Sequence, residues 1–271
     1  MLREEYPPQE PLSEVGERYS AECWRRSSDV AGEEHGYGAD PYQRLLVFPA
    51  LNPDGRVLIF WHGGGWTSGY KEWMGFMAPA FTAANVIFVS AGYRLAPQHV
   101  FPAGLEDCIA AVAWVHRNIG KYGGRPDRLY VGGHSAGGHY ATLLAVRRDW
   151  QAAQGLPADV IKGCLPISGV YFFTEGSGLS NRPRFLGPAG NEQAASPLHH
   201  LQPPLPPFLI AYGTDDFPHL IKQADVFHDA IVTAGARADR LVMPGRNHFS
   251  ASYAGGEADG PWVGPALRFM R

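Results

Sequence analysis

Four stretches of this chain carry residue types suited to acyl transfer. Gly133-His-Ser-Ala-Gly137 sets Ser135 between an apolar β-rich run, Arg128-Leu-Tyr-Val-Gly132, and a helix-forming run, His139-Tyr-Ala-Thr-Leu-Leu-Ala-Val146. A strand, a sharp turn and a helix are read in that order. In that context G-x-S-x-G raises a serine on a strained elbow with its Oγ clear of the sheet. A short Gly/Ser pattern alone is a common turn, so the reading depends on partners. A neutral hydroxyl is a poor nucleophile until a base takes its proton and a carboxylate orients that base. Ala238-Asp-Arg-Leu-Val-Met243 reads as a last strand, followed by Pro244-Gly-Arg-Asn-His248-Phe249 as a loop that presents His248 as the base. The preceding strand, Phe208 to Tyr212, ends in Gly213-Thr-Asp215-Asp216, offering two acids in the order Ser, Asp, His. His62-Gly-Gly-Gly-Trp66 closes the buried-strand run Val57-Leu-Ile-Phe-Trp61. Consecutive glycines there let the backbone turn sharply and leave amides free to receive an oxyanion. The amides of Gly64, Gly65 and Ala136 are the candidates, and one such donor is typically worth about 3 to 4 kcal/mol in the transition state.

These residues need a scaffold that brings distant segments together. At 271 residues with 45% hydrophobic content the chain can bury one large core, and a single domain spanning 1–271 is expected. Residues 1–40 begin polar and proline-rich and carry a helix from Ser13 to Arg26, an arm packed across the domain. Strands are expected at Arg44–Phe48, Val57–Trp61, Val86–Val89 and Ile161–Ser168. A helix over Leu105–Asn118 follows from the spacing of Leu105, Cys108, Ile109, Val112 and Val115, with Asp107 as its first-turn acid. Alternating strands and helices predict an α/β fold with a mostly parallel central sheet and helices on both faces. The stretch 169–207, rich in proline and aromatics, is too long for an ordinary connection and is expected to cap the site. Its Tyr171, Phe172 and Phe173, together with Trp66, are candidate pocket residues.

Composition narrows the partners. A formal charge of -3 and the absence of a Lys/Arg run disfavour nucleic acid. No stretch approaches the roughly 18 apolar residues of a membrane span, and the first residues lack an apolar leader core, so a cytoplasmic protein is expected. Cys23, Cys108 and Cys164 are odd in number and form no CxxC pair, so neither a disulfide framework nor a thiolate zinc site is read. His199-His200 lacks a third ligand at metal spacing, and neither a metal nor a cofactor is expected.

With those motifs in view, the chain resembles α/β-hydrolase-fold serine hydrolases of the group containing hormone-sensitive-lipase-like carboxylesterases and kynurenine formamidase (arylformamidase). His62-Gly-Gly-Gly-Trp66 is similar to the oxyanion loops of both, and Gly133-His-Ser-Ala-Gly-Gly138 is shared by both. Tyr93-Arg-Leu-Ala-Pro97, Phe101-Pro-Ala and Glu106-Asp107 resemble the esterases. Asp216-Phe-Pro218 with Gln223, Ile167-Ser-Gly-Val-Tyr171 and Ser196-Pro-Leu-His199 look formamidase-like. The resemblance implies Asp216 rather than Asp215 as the acid. Phe217 departs from it, standing where a small residue is expected, and the cap matches neither group. The implied activity is cleavage of a small, short-acyl carboxylic ester through an acyl-enzyme built on Ser135, His248 and Asp216. An N-formylkynurenine-like amide is the alternative substrate, and a non-catalytic binding module is a third reading. Gly65, without a side chain beside the oxyanion amides, leaves room for an acyl group larger than formyl. The expected partner is a small ester or amide, and the sequence leaves a homodimer open.

Overall fold

The computed structural model describes residues 3–173, 177, 179, 182–187 and 190–271. Its centre is one eight-stranded sheet: β1 (Glu33–Gly36), β2 (Arg44–Phe48), β3 (Val57–Trp61), β4 (Ile87–Ala91), β5 (Leu129–His134), β6 (Ile161–Ile167), β7 (Phe208–Asp215) and β8 (Ala238–Asn247). The spatial order is β1-β2-β4-β3-β5-β6-β7-β8. β1 and β2 pair antiparallel, as do β2 and β4, and every later pair is parallel. Every residue of β3, β4 and β5 is buried. That explains their near-continuous apolar runs, since a parallel strand covered on both faces has no solvent side to alternate toward.

Nine α-helices accompany the sheet among the described residues: α1 (Glu14–Ser27), α2 (Ala78–Thr82), α3 (Ala103–Asn118), α4 (Ala136–Val146), α5 (Arg182–Phe185), α6 (Asn191–Ala195), α7 (Pro218–Thr233), α8 (His248–Tyr253) and α9 (Val263–Phe269). α1 starts at Ser13, whose side chain accepts the Gly16 amide as an N-cap. None of the helices is long and apolar enough to cross a membrane. Cys23, Cys108 and Cys164 are free and buried.

Three expectations need correction. The segment 1–40 is more than an arm, because β1 within it forms one edge of the sheet. Its sequence, Glu-Glu-His-Gly, is polar because an edge strand needs only one partner. β8 does not stop at Met243 but runs to Asn247, so His248 opens a helix rather than riding on a loop. Asn247 caps that helix, its Oδ1 accepting from the Phe249 and Ser250 amides. Asp107 lies beyond the first turn of α3 and is buried. It accepts from the Arg94 amide and guanidinium and from Gln43 Nε2, tying the loop after β4 to the helix.

The ends of the parallel strands position the site. β3, β5, β6, β7 and β8 are consecutive neighbours, and their carboxyl ends lie in register: Trp61 opposite Gly133, His134 opposite Ile167, Ile167 opposite Ala211 and Asp215 opposite Asn247. The residues following them are the glycine loop from His62, Ser135, Ser168, Asp216 and His248. This is the edge of an open α/β sheet where ligands bind.

Candidate active site

Ser135 stands between β5 and α4 with φ 53° and ψ -116°. Only a sharply turned backbone reaches that conformation, which costs a non-glycine residue about 1 to 3 kcal/mol and must be held by its surroundings. The neighbours hold it by close approach. A Cβ at Gly133 would lie 2.2 Å from the Gly137 carbonyl carbon, and one at Gly137 would lie 2.2 Å from the Trp61 oxygen. The two flanking glycines are therefore steric necessities. The Ser135 amide donates to the Ile167 carbonyl at 2.9 Å, locking the elbow to β6.

His248 Nε2 lies 3.0 Å from Ser135 Oγ, and its Nδ1 lies 2.9 Å from Asp216 Oδ1. An ionised carboxylate only accepts, so Nδ1 carries the proton and Nε2 is left to receive one from the serine. Asp216 is buried while Asp215 faces solvent. Oδ1 of Asp216 also accepts the Phe217 amide at 2.7 Å, and Oδ2 accepts the Ser168 hydroxyl. Burial pushes this carboxyl up, but the His248, Ser168 and Phe217 donors outweigh it and hold the group below its ordinary value.

The loop after β3 turns through Gly64 at φ +114° and Gly65 at φ +61°. The amides of Gly64, Gly65 and Ala136 have no acceptor among the described residues. A Cβ on Gly64 would meet the Ser68 carbonyl oxygen at 2.0 Å, whereas one on Gly65 would meet nothing within 4 Å. Gly65 therefore borders open space. That space is a cavity of about 250 Å³ lined by Leu12, Ser13, Gly16 and Tyr19 of the N-terminal segment, by Gly64, Gly65 and Trp73, and by His134, Ser135, Phe217, His248 and Phe249. Among these lining residues there is no Asp, Glu, Lys or Arg. The arrangement can accept a carbonyl at Ser135, move a proton through His248 and receive negative charge on the free amides.

The four expected pocket residues are absent from this lining. Trp66 is buried, stacked on Phe185 with ring centroids 4.3 Å apart, and its Nε1 donates to His139 Nδ1 at 3.1 Å. Tyr171 stacks on Phe227 at 4.5 Å, and the Tyr171 and Phe172 amides both donate to Gln223 Oε1. Phe173 packs on His139 and Trp66. These aromatics fill the core under the excursion. Of the 169–207 stretch, residues 174–176, 178, 180–181 and 188–189 lie outside the described residues. Among the described residues, Leu12, Ser13, Gly16 and Tyr19 of the N-terminal segment line the cavity, a role that sequence periodicity did not assign to the arm.

Several contributors have weak sequence signals. Ser168, at φ +52°, caps β6 and holds Asp216. Its hints in the sequence are its place at the end of the expected strand Ile161–Ser168 and in the motif Ile167-Ser-Gly-Val-Tyr171, neither of which marks it as a partner of the acid. Phe217, 45% exposed, sets its ring 4.7 Å from that of His248. His62 is buried and stacked on Tyr93 at 4.4 Å, and burial, aided by the nearby Lys71 charge, lowers it to about 4, so it stays a neutral strut of the loop.

Comparison with known proteins fits this geometry. A family model described as alpha/beta hydrolase fold matches residues 58–186. The isoprenylcysteine alpha-carbonyl methylesterase of Arabidopsis thaliana is 28% identical over 238 residues, covering 78% of this chain and 55% of that protein. Esterase LipQ of Mycobacterium tuberculosis is 31% identical over 252 residues, covering 85% and 58%. The chain thus spans about half the length of the curated relatives it matches. Among solved structures, the butyrate-bound esterase Est2 of Thermogutta terrifontis superposes with TM-score 0.75 at 22% identity, over 89% of this chain and 93% of that one. The esterase of Pyrobaculum calidifontis gives 0.76 at 21%, over 98% and 94%.

Proposed function

On this α/β-hydrolase fold, we propose a serine hydrolase that cleaves small, uncharged carboxylic esters through an acyl-enzyme. The observation that carries the reading is the continuous line from Asp216 through His248 to Ser135 Oγ, with steps of 2.9 and 3.0 Å. Ser135 attacks the carbonyl while His248 takes its proton. Asp216 keeps the imidazole oriented and stabilises its cation. The Gly64, Gly65 and Ala136 amides receive the oxyanion, and His248 returns the proton to the leaving alcohol. Water then repeats the sequence on the acyl-serine.

The ester is favoured over the formamide by the cavity. Its volume, about 250 Å³, lies below the range of about 300–1,000 Å³ that takes drug-sized ligands. Gly65 leaves room beyond the carbonyl carbon. An N-formylkynurenine-like substrate carries an ammonium and a carboxylate, for which the lining residues offer no counter-charge. The named activities of the relatives, esterase and methylesterase, lend the same support. The partner in this reading is a small-molecule ester. The compartment is the cytoplasm, a placement favoured by three free, buried cysteines. The test is kcat/KM for formyl, acetyl, butyryl and octanoyl esters sharing one leaving group, beside N-formylkynurenine. Broad activity from acetyl to butyryl, falling steeply at octanoyl, is expected. A preference for formyl over acetyl exceeding about 10³, more than one methyl explains, would replace the ester by the formamide.

A further inference from the structure

The residue before the nucleophile, His134, has no part in the scheme above, yet it is buried where the glycine loop, the N-terminal helix and the segment of His248 meet. Its Nε2 lies 2.9 Å from the His248 carbonyl oxygen and its Nδ1 3.2 Å from the Tyr19 hydroxyl. That hydroxyl lies 3.0 Å from Ser252 Oγ, one helical turn beyond His248 in α8. A Cβ on Gly63 of the oxyanion loop would come within 2.8 Å of His134 Nδ1. The proton positions follow from the partners. A carbonyl only accepts, so Nε2 bears the hydrogen. Nδ1 is then an acceptor, so Tyr19 donates to it and accepts in turn from Ser252. The chain of donors runs one way: Ser252 to Tyr19 to His134 to the carbonyl of His248. Burial, with the nearby His248, lowers His134 to about 3, so this neutral tautomer persists through the working pH range.

From this geometry we infer that Tyr19 and His134 are positioning residues: the N-terminal helix, through them, fixes the main chain of the base His248 relative to Ser135. The inference rests on the hydrolase reading above. Tyr19 lies in α1, 115 residues from His134 and 233 from Ser252 in sequence. The same helix lines the cavity through Gly16 and Tyr19, so seating of α1 and alignment of the base are one event. Tyr19 is also clamped by rings: Trp73 edge-on at 5.4 Å, Phe249 at 5.2 Å and Tyr253 stacked at 5.7 Å. Removing its hydroxyl leaves the ring seated in the cavity wall, while His134 Nδ1 loses its donor.

The test uses the full chain with p-nitrophenyl butyrate. Tyr19→Phe should lower kcat about tenfold with KM within about twofold, because a small displacement of a catalytic group costs rate rather than binding and can reach 10²-fold per ångström. Ser252→Ala, outside the cavity lining, should show the same split with a smaller loss. Glutamine can place an N–H near the position of Nε2, so His134→Gln should keep most of kcat, whereas His134→Met should lose at least as much as Tyr19→Phe. All four are compared at equal folded fraction, from thermal melting. Wild-type kcat in Tyr19→Phe and Ser252→Ala, or equal loss in His134→Gln and His134→Met, would overturn the inference. A wild-type chain that fails to turn over the ester would instead overturn the hydrolase reading.

Discussion

Replacing Asp216 by Asn separates what its carboxylate does by geometry from what it does by charge. Oδ1 accepts both His248 Nδ1–H and the Phe217 amide. In the variant the side-chain oxygen must stay there, since a flipped amide would aim its N–H₂ at the Phe217 N–H. Ser168 can turn its hydroxyl to accept from the new amide nitrogen. His248 therefore keeps its productive tautomer and loses only the negative charge beside it. With an effective dielectric of about 20, a charge about 4 Å from the imidazolium is worth about 4 kcal/mol, close to 10³ in kcat. Loss of the tautomer as well would take the cost to about 10⁴. Asp215 faces solvent, so Asp215→Asn should leave kcat within about twofold, as exposed charges are strongly screened. The assay is steady-state hydrolysis of p-nitrophenyl butyrate by both variants. Retention of more than a tenth of kcat in Asp216→Asn, or a larger loss in Asp215→Asn, would refute the reasoning.

Acid should destabilise the fold through three buried histidines, since burial lowers His62 to about 4 and His134 and His139 to about 3, each from 6.5. The unfolded chain binds those protons first, so this stability is present above about pH 6.5 and is lost as pH falls toward 4. At about pH 5 the loss is about 2 kcal/mol for each histidine. Urea midpoints at pH 7.5 and 5 measure it, and equal midpoints would contradict it. Gly65→Ala adds a methyl into open space at a positive φ, so it should cost about 1 kcal/mol of stability and lower the butyryl-to-acetyl ratio of kcat/KM about tenfold. An unchanged ratio would place the acyl group elsewhere.

Where one segment's own chemistry fixes its shape, the sequence is readable. Gly133 is glycine because the backbone of Gly137 and Gly138, in the turn that follows it, leaves no room for a Cβ, and that constraint is local. The continuous apolar runs of β3 and β4 likewise report their own burial. What long-range pairing decides is not readable. Asp107 looks like a first-turn helix acid until Arg94 and Gln43 reach it. Trp66 and Tyr171 look like pocket walls until Phe185 and Phe227 cover them. β8 passes through Pro244 and Gly245, which composition reads as a turn, because pairing of Asp215 with Asn247 carries it onward. Tyr19 carries no local mark of this role, since His134 and Ser252 lie 115 and 233 residues away.

The central claim is that Ser135 forms the acyl intermediate, and direct trapping tests it. The chain is mixed with p-nitrophenyl butyrate, quenched in acid within the first turnovers and mapped by peptide mass spectrometry, with diethyl p-nitrophenyl phosphate as an irreversible counterpart. One butyryl group, or one phosphoryl group with complete loss of activity, should sit on the peptide containing Ser135, and neither should form in Ser135→Ala. Label on another residue, or turnover that persists in Ser135→Ala, would contradict the account.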